Sequence, residues 1–400
     1  MSAFACEPGQ DSEPEVGWQW ALQMARFHDV TILTQSKNRP AIERASAEMS
    51  ERQPVPRFIY FERRWLLPLR RWVAGLRIYC VFWQKAARGL VANLHRTQPF
   101  DLMHHVTFAA FRYPTAIWGH GVPTVWGPIG GIEDSPMQLL PWQNPAALLP
   151  ELARNLHNGI QRWPFGSLAR RLRATTLTLA STPEMQRLFE RMGHKVPLMP
   201  TIGLHVAAIP FRPRPATEEP LKLLFVGKLI ALKGIHLALE AMAISGTNAE
   251  LTVIGTGPFQ EGLRRLAERF GLSARVSFRG RRPRQEVLQS YADFDVLLFP
   301  SFHDTGGYAV IEAMANGLPV ICLERGGPAI AVQEGAGIKV PVGSRKAVID
   351  GLATAIQTYH RDRRLRLEHG RQARQRIIEF YDWDKKGAQL AAIYEQAAAK

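Results

Sequence analysis

The chain has 400 residues, 46% hydrophobic and 21% charged, a globular composition too long for one ordinary core and suited to two or three domains. Its three cysteines, Cys6, Cys80 and Cys322, lie far apart with no CxxC pair; this excludes a disulfide scaffold or a cysteine zinc site and makes reduced cytosol the expected compartment. Fifty Lys and Arg against 35 Asp and Glu give a net charge of +15, which calls for an anionic partner: nucleic acid, an anionic membrane or a phosphorylated small molecule.

The N-terminal MSAFACEPGQ has neither the basic start nor the long apolar core of a signal peptide, so secretion is not expected. Only SAFAC precedes the Glu7-Pro8-Gly9 turn, a short opening strand that implies truncation or an upstream start. A helical stretch, GWQWALQMARF, follows, and then DVTILT, PRFIY, DLMHHV, PTVWG, LTLAS and VPLMP read as strands of a parallel α/β domain. The most apolar long stretch, 65–83, is interrupted by Arg70, Arg71 and Arg77 and does not qualify as a spanning helix. FRPRPATEEP, proline-rich and without apolar periodicity, marks a linker. From 221 onward LKLLFVG, LTVIG, VSFRG, DVLLFP and LPVICL alternate with helical patterns, as in a parallel sheet covered on both faces. The expected domains are therefore 1–205, a linker at 206–220, 221–380, and a terminal helix at 381–400 that packs back on the first domain.

The densest chemical signal is FPSFHDTGGYAVIEAMANGLPVI, 299–321. A buried strand ends, a glycine turn follows, and a helix begins whose leading amides face the carboxyl end of the sheet, where open α/β sheets bind ligands. Gly306 and Gly307 permit close approach, so this helix start is a natural seat for a diphosphate. Asp304 and Glu312 stand eight residues apart, at most roughly 12 Å along a helix, and could bracket a diphosphate between a ribose and a second sugar. The competing expectation is that Asp304 caps the helix and Glu312 is an acid paired locally. FVGKLIALKGIH, 225–236, ends a strand at Gly227 and places Lys228 and Lys233 on the same sheet edge. Two compact ammonium groups there suit a departing diphosphate. VIGTGP adds a weaker glycine turn at that edge.

Together FVGKLIALKG, VIGTGP, VSFRGRRPRQEV and PSFHDTGGYAVIEAMANGLPVI resemble, in order and spacing, the donor domain of the retaining family 4 glycosyltransferases. The resemblance implies an α/β protein of GT-B fold, with two facing Rossmann-like domains of parallel sheets and an interdomain cleft. It implies that Lys228 and Lys233 hold the diphosphate, Glu312 the ribose and Asp304 the hydroxyls of the transferred sugar. Gly227, Gly306, Gly307 and Tyr308 would complete the nucleotide-sugar site. The family's paired acids are usually both Glu, and Asp304 departs from that. The N-terminal half resembles a bacterial polysaccharide-building subgroup through CEPGQDSEPEVGWQWA, HHVTF and WGPIGG, with Asp11 where glycine is common. Family members often carry a histidine beside the transferred sugar. The corresponding turn here is WGPIGG, and His105, on an earlier strand, stands as the catalytic candidate.

Residues 57–96 hold nine Lys or Arg and one acid, Glu62, interleaved with Trp65, Trp72, Tyr79, Phe82 and Trp83. The pattern suits a helix on an anionic membrane and equally a helix pair with tryptophans in the core. Nucleic acid is not expected, since no zinc finger, RNP-like strand or helix-turn-helix accompanies the charge. The expected function is transfer of a sugar from a nucleotide-diphosphate sugar, the donor substrate, to a saccharide or lipid-linked saccharide acceptor in cell-surface polysaccharide biosynthesis. It would proceed without a cofactor or metal, in the cytoplasm or peripherally on the inner face of the cell membrane. The alternatives are a nucleotide-sugar-binding protein without turnover and a transferase with a small soluble acceptor. Asp293-Phe-Asp295 mimics a metal-binding DxD but precedes a buried strand and reads as local capping.

Overall fold

The computed structural model describes residues 1–399 except 11, 50–52, 72–74, 112, 132, 142–144, 162–166, 210 and 212–219. Asp11, Trp72, the side chains of Arg70 and Arg71 and most of the linker thus lie outside the described residues. The chain forms two compact units, one of Met1–Ile132, Gly159–Gly203 and Trp383–Lys400, the other of Glu133–Asn158 and Leu204–Asp382. The division read from the sequence differs at Glu133–Asn158, which precedes 205 in the chain but packs with the second unit.

The first unit holds a parallel sheet of β1 (Ser2–Ala3), β2 (Thr31–Gln35), β3 (Arg57–Phe61), β4 (Met103–Thr107), β5 (Thr124–Ile129) and β6 (Leu177–Ala180). Its spatial order is β3-β2-β1-β4-β5-β6, the doubly wound order of dinucleotide-binding folds. β1 is shorter than SAFAC suggests: Ser2 pairs with Leu33 and His105, and the register with β4 shifts after it. VPLMP is not a strand. Pro197 and Pro200 have no N–H to offer a ladder, and only a bridge between Leu198 and Ala180 forms.

The helix Trp383–Ala398 belongs to this unit and packs on the helix Glu13–Ala25. Trp20 and Trp383 meet edge to face at 5.1 Å. Tyr394 bonds His104 Nδ1 at 2.6 Å. Lys386 is 1% exposed; its ammonium donates to the Pro200 carbonyl at 2.6 Å and lies 5.3 Å from the Trp20 ring centroid.

The second unit repeats the same winding with β7 (Leu221–Val226), β8 (Ala249–Ile254), β9 (Val276–Gly280), β10 (Val296–Phe299), β11 (Val320–Leu323) and β12 (Gly337–Val340), in the order β12-β11-β10-β7-β8-β9. All pairings are parallel. β10 and β11, VLLF and VICL, are buried at every position because helices cover both faces. The sixth strand, β12, reads GIKV and carried too little apolar signal to be expected from sequence.

Candidate functional site

In the second unit the chain winds outward from β7 through β8 and β9, then returns to build β10, β11 and β12 on β7's other side. The strand order therefore reverses between β7 and β10, and loops leaving adjacent strands at such a reversal diverge and leave a crevice. The loop after β7 carries Lys228 and Lys233, and the loop after β10 carries Asp304, Gly306 and Gly307. Topology brings the two sequence motifs, about 70 residues apart, to one place.

The loops are stitched together. Phe302 N–H and Ser301 Oγ both donate to the Leu232 carbonyl, at 3.1 and 3.3 Å. Gly234 has φ +70°, and a Cβ there would stand 2.0 Å from the Pro300 carbonyl oxygen, so the approach requires glycine. The Lys233 ammonium pairs with Asp304 Oδ2 and lies 5.4 Å from the Phe299 ring centroid. Lys228, by contrast, is exposed and has no side-chain partner among the described residues.

Asp304 also accepts from the amides of Gly306 at 3.3 Å and Gly307 at 2.8 Å, ahead of the helix Tyr308–Ala315. Two of the amides expected to face a diphosphate, those of Gly306 and Gly307, are thus held by the chain's own carboxylate. Glu312, in that helix, is 7% exposed. Its Oε1 accepts from Arg284 Nε at 3.2 Å and Nη2 at 2.9 Å, and its Oε2 from the Tyr291 hydroxyl at 3.3 Å. Burial, then the Glu312 charge, push the Tyr291 hydroxyl well above the usual tyrosine range and keep it a donor. Glu312 is thus paired locally, as the competing expectation has it, whereas the N-cap of the helix is Gly307 and Asp304 bonds the two amides just ahead of it.

His105 does not stand open at a strand end. It is buried within β4 of the first unit, and burial holds its imidazole neutral, with a pKa pushed down to about 4. At the same sheet edge Glu13, from the CEPGQDSEPEVGW motif, accepts the Phe108 N–H and fixes Phe108 at φ +52°. Asp295 of the apparent DxD accepts the Lys222 N–H at 2.9 Å, a backbone cap.

Two groups of residues were missed. Arg284 lies 28 residues from Glu312, within VSFRGRRPRQEV, where only its basic character could have signalled it. Glu133, His303, Thr305, Arg325 and Gly326 line a small pocket with Asp304. Arg325 donates to the Asp134 carbonyl, and Asn158 to Asp134 Oδ1 at 3.0 Å. The imidazole of His303 is pushed down to about 3 by burial and then by Arg154 and Arg325. The Arg-Gly-Gly-Pro turn after β11 was a legible hint of this edge; the contribution from 133–158 was not.

Residues 210–376 match the family model of glycosyl transferases group 1. A D-inositol 3-phosphate glycosyltransferase of Corynebacterium glutamicum is 33% identical over 185 residues, 44% of this chain and 43% of that protein. A glycogen synthase of Mycobacterium tuberculosis is 27% identical over 252 residues, 60% of this chain and 59% of that one. The chain spans about half the length of the curated relatives it matches. The solved structure of Anabaena HepE in complex with UDP superposes with a TM-score of 0.62 at 15% identity over 98% of both chains. The fold is GT-B, and its second unit carries the sequence pattern of a group 1 glycosyl transferase.

Proposed function

We propose that this chain is a glycosyltransferase that moves a hexose-type sugar from a nucleotide-diphosphate sugar to a saccharide or lipid-linked saccharide acceptor in cell-surface polysaccharide biosynthesis. The observation that carries the proposal is the convergence of Lys233, Asp304 and the Gly306 and Gly307 amides at the β7–β10 reversal, inside the segment that matches the group 1 family. The UDP in the HepE structure supports a nucleoside diphosphate as the donor's leaving group.

On donor binding the diphosphate takes over the amides and the Lys233 ammonium that Asp304 now occupies. Lys228, exposed and uncommitted, adds a second positive charge. Asp304 is then released to accept from the hydroxyls of the transferred sugar, beside Glu133 and Arg325 of the adjoining pocket. Glu312, oriented by Arg284 and Tyr291, accepts from the ribose. Catalysis rests on positioning and on charge stabilisation of the departing diphosphate, which takes the acceptor's proton. Retention of anomeric configuration, chemistry without a metal and a cytoplasmic site of action complete the proposal.

A thermal-shift panel of UDP-, GDP- and ADP-sugars tests it, since a ligand that binds the native state raises apparent stability. One series should stabilise the protein, and Lys233→Ala should abolish that stabilisation. Unchanged binding in Lys233→Ala would remove the phosphate role. The hold of Asp304 on the Gly306 and Gly307 amides also favours a second reading, a nucleotide-sugar-binding protein without turnover. Donor binding with no sugar transfer or hydrolysis across candidate acceptors would establish that reading instead.

A further inference from the structure

We propose that residues 63–67 and the outer face of the helix Gly75–Thr97 form a docking surface for an anionic lipid bilayer. The observation behind it is separate from the donor site and does not depend on the transferase reading. The segment Arg64–Arg71 packs against this helix within the first unit.

The packing sorts the side chains into two sets. Leu66, Tyr79, Cys80, Trp83, Ala87 and Val91 enter one buried core with Phe4 and Leu33. Trp65, Leu67, Leu76, Ile78 and Phe82 are left in water, Trp65 with 69% and Ile78 with 45% of its surface exposed. Interleaved with them are the exposed cations Arg63, Arg64, Arg77, Lys85 and Arg88. The Lys85 ammonium lies 5.9 Å from the centroid of the Phe82 ring, so on this helix an exposed cation and an exposed apolar ring adjoin. Glu62, the one acid between 57 and 96, accepts from the Tyr79 hydroxyl.

A surface that is both apolar and cationic has a specific complement. Single-stranded nucleic acid would use the cations and stack on Trp65 or Phe82, but it gains nothing from Leu67, Leu76 and Ile78. A bilayer with anionic headgroups takes both sets, the aliphatic chains and rings at the acyl boundary and the cations at the phosphates. Trp65 suits the interfacial depth where tryptophans collect. Among the described residues no helix is long and apolar enough to cross a membrane, so the contact lies on the surface of the bilayer.

The test is co-flotation of the full chain with vesicles of phosphatidylcholine alone and of phosphatidylcholine mixed with phosphatidylglycerol. Wild type should float only with the mixed vesicles, and should be released between about 0.1 M and about 1 M salt as the screening length falls from about 10 Å to about 3 Å. Combined Arg77→Gln, Lys85→Gln and Arg88→Gln should weaken partitioning about a hundredfold, near fivefold for each cation. Ile78→Ser with Phe82→Ser, charges intact, should weaken it as well. These side chains are exposed, so the thermal midpoint of each variant should match wild type. Equal flotation with both vesicle types, or salt-independent flotation, overturns the proposal. So does undiminished binding by the Ile78→Ser, Phe82→Ser variant together with equally tight capture of a single-stranded oligonucleotide, which would mark a general polyanion site.

Discussion

Replacing Lys386 by methionine isolates the energetics of a single buried ammonium group. Burial alone lowers its pKa from 10.5 to about 7, because the amine is shut away from water between Pro200 and Trp20. At 1.36 kcal/mol per pH unit this is about 5 kcal/mol of preference for the neutral form. Between those two pKa values the unfolded chain holds the proton and the native chain does not, so stability rises with pH across that window and is lowest below about pH 7. From about pH 7 to about pH 9.5 this lysine should add about 3 kcal/mol to wild-type stability, a gain that the Lys386→Met variant should lack. Urea denaturation of both proteins at the two pH values measures the effect as the change in their stability difference, in which the titration of other groups cancels. A stability difference that does not vary with pH would refute the reasoning, since it would mean that the ammonium stays protonated in the native protein.

Asp304→Asn removes the anion that competes for the Gly306 and Gly307 amides and for Lys233. It should tighten UDP binding about tenfold, near 1.4 kcal/mol, while lowering sugar transfer; calorimetry showing weaker UDP binding would contradict this account of the site. Gly234→Ala places a methyl 2.0 Å from the Pro300 oxygen at φ +70° and should destabilise the second unit by about 2 kcal/mol or more, read as a lowered denaturant midpoint.

What could be read in the sequence follows from burial. VLLF and VICL stand out because strands covered on both faces run apolar without interruption, and LKLLFV nearly so, with Lys222 its one polar residue. The two lysines and the Asp-Thr-Gly-Gly turn could be assigned to one edge because each follows such a strand. The basic segment 57–96 was ambiguous for a physical reason: at helical spacing Trp83 and Phe82 are neighbours in sequence, yet one is buried and the other 42% exposed. Composition says nothing about which way a helix turns. The pairing of Glu312 with Arg284 and the inward position of His105 are tertiary outcomes. They depend on which loops meet, and no local propensity encodes that.

The division of the chain between its two units has a bearing on how the protein can be made and taken apart. The first unit is finished only when Trp383–Lys400 has been synthesised, after all of the second. The second unit in turn needs Glu133–Asn158, whose Leu139 carbonyl is the hydrogen-bond partner of the buried His236 ring at 2.8 Å. Neither unit is a contiguous piece, so a cut at the proline-rich junction would yield two fragments that each lack part of their own interior. Recombining halves with a related protein would succeed only if both crossing segments travelled with the unit they complete.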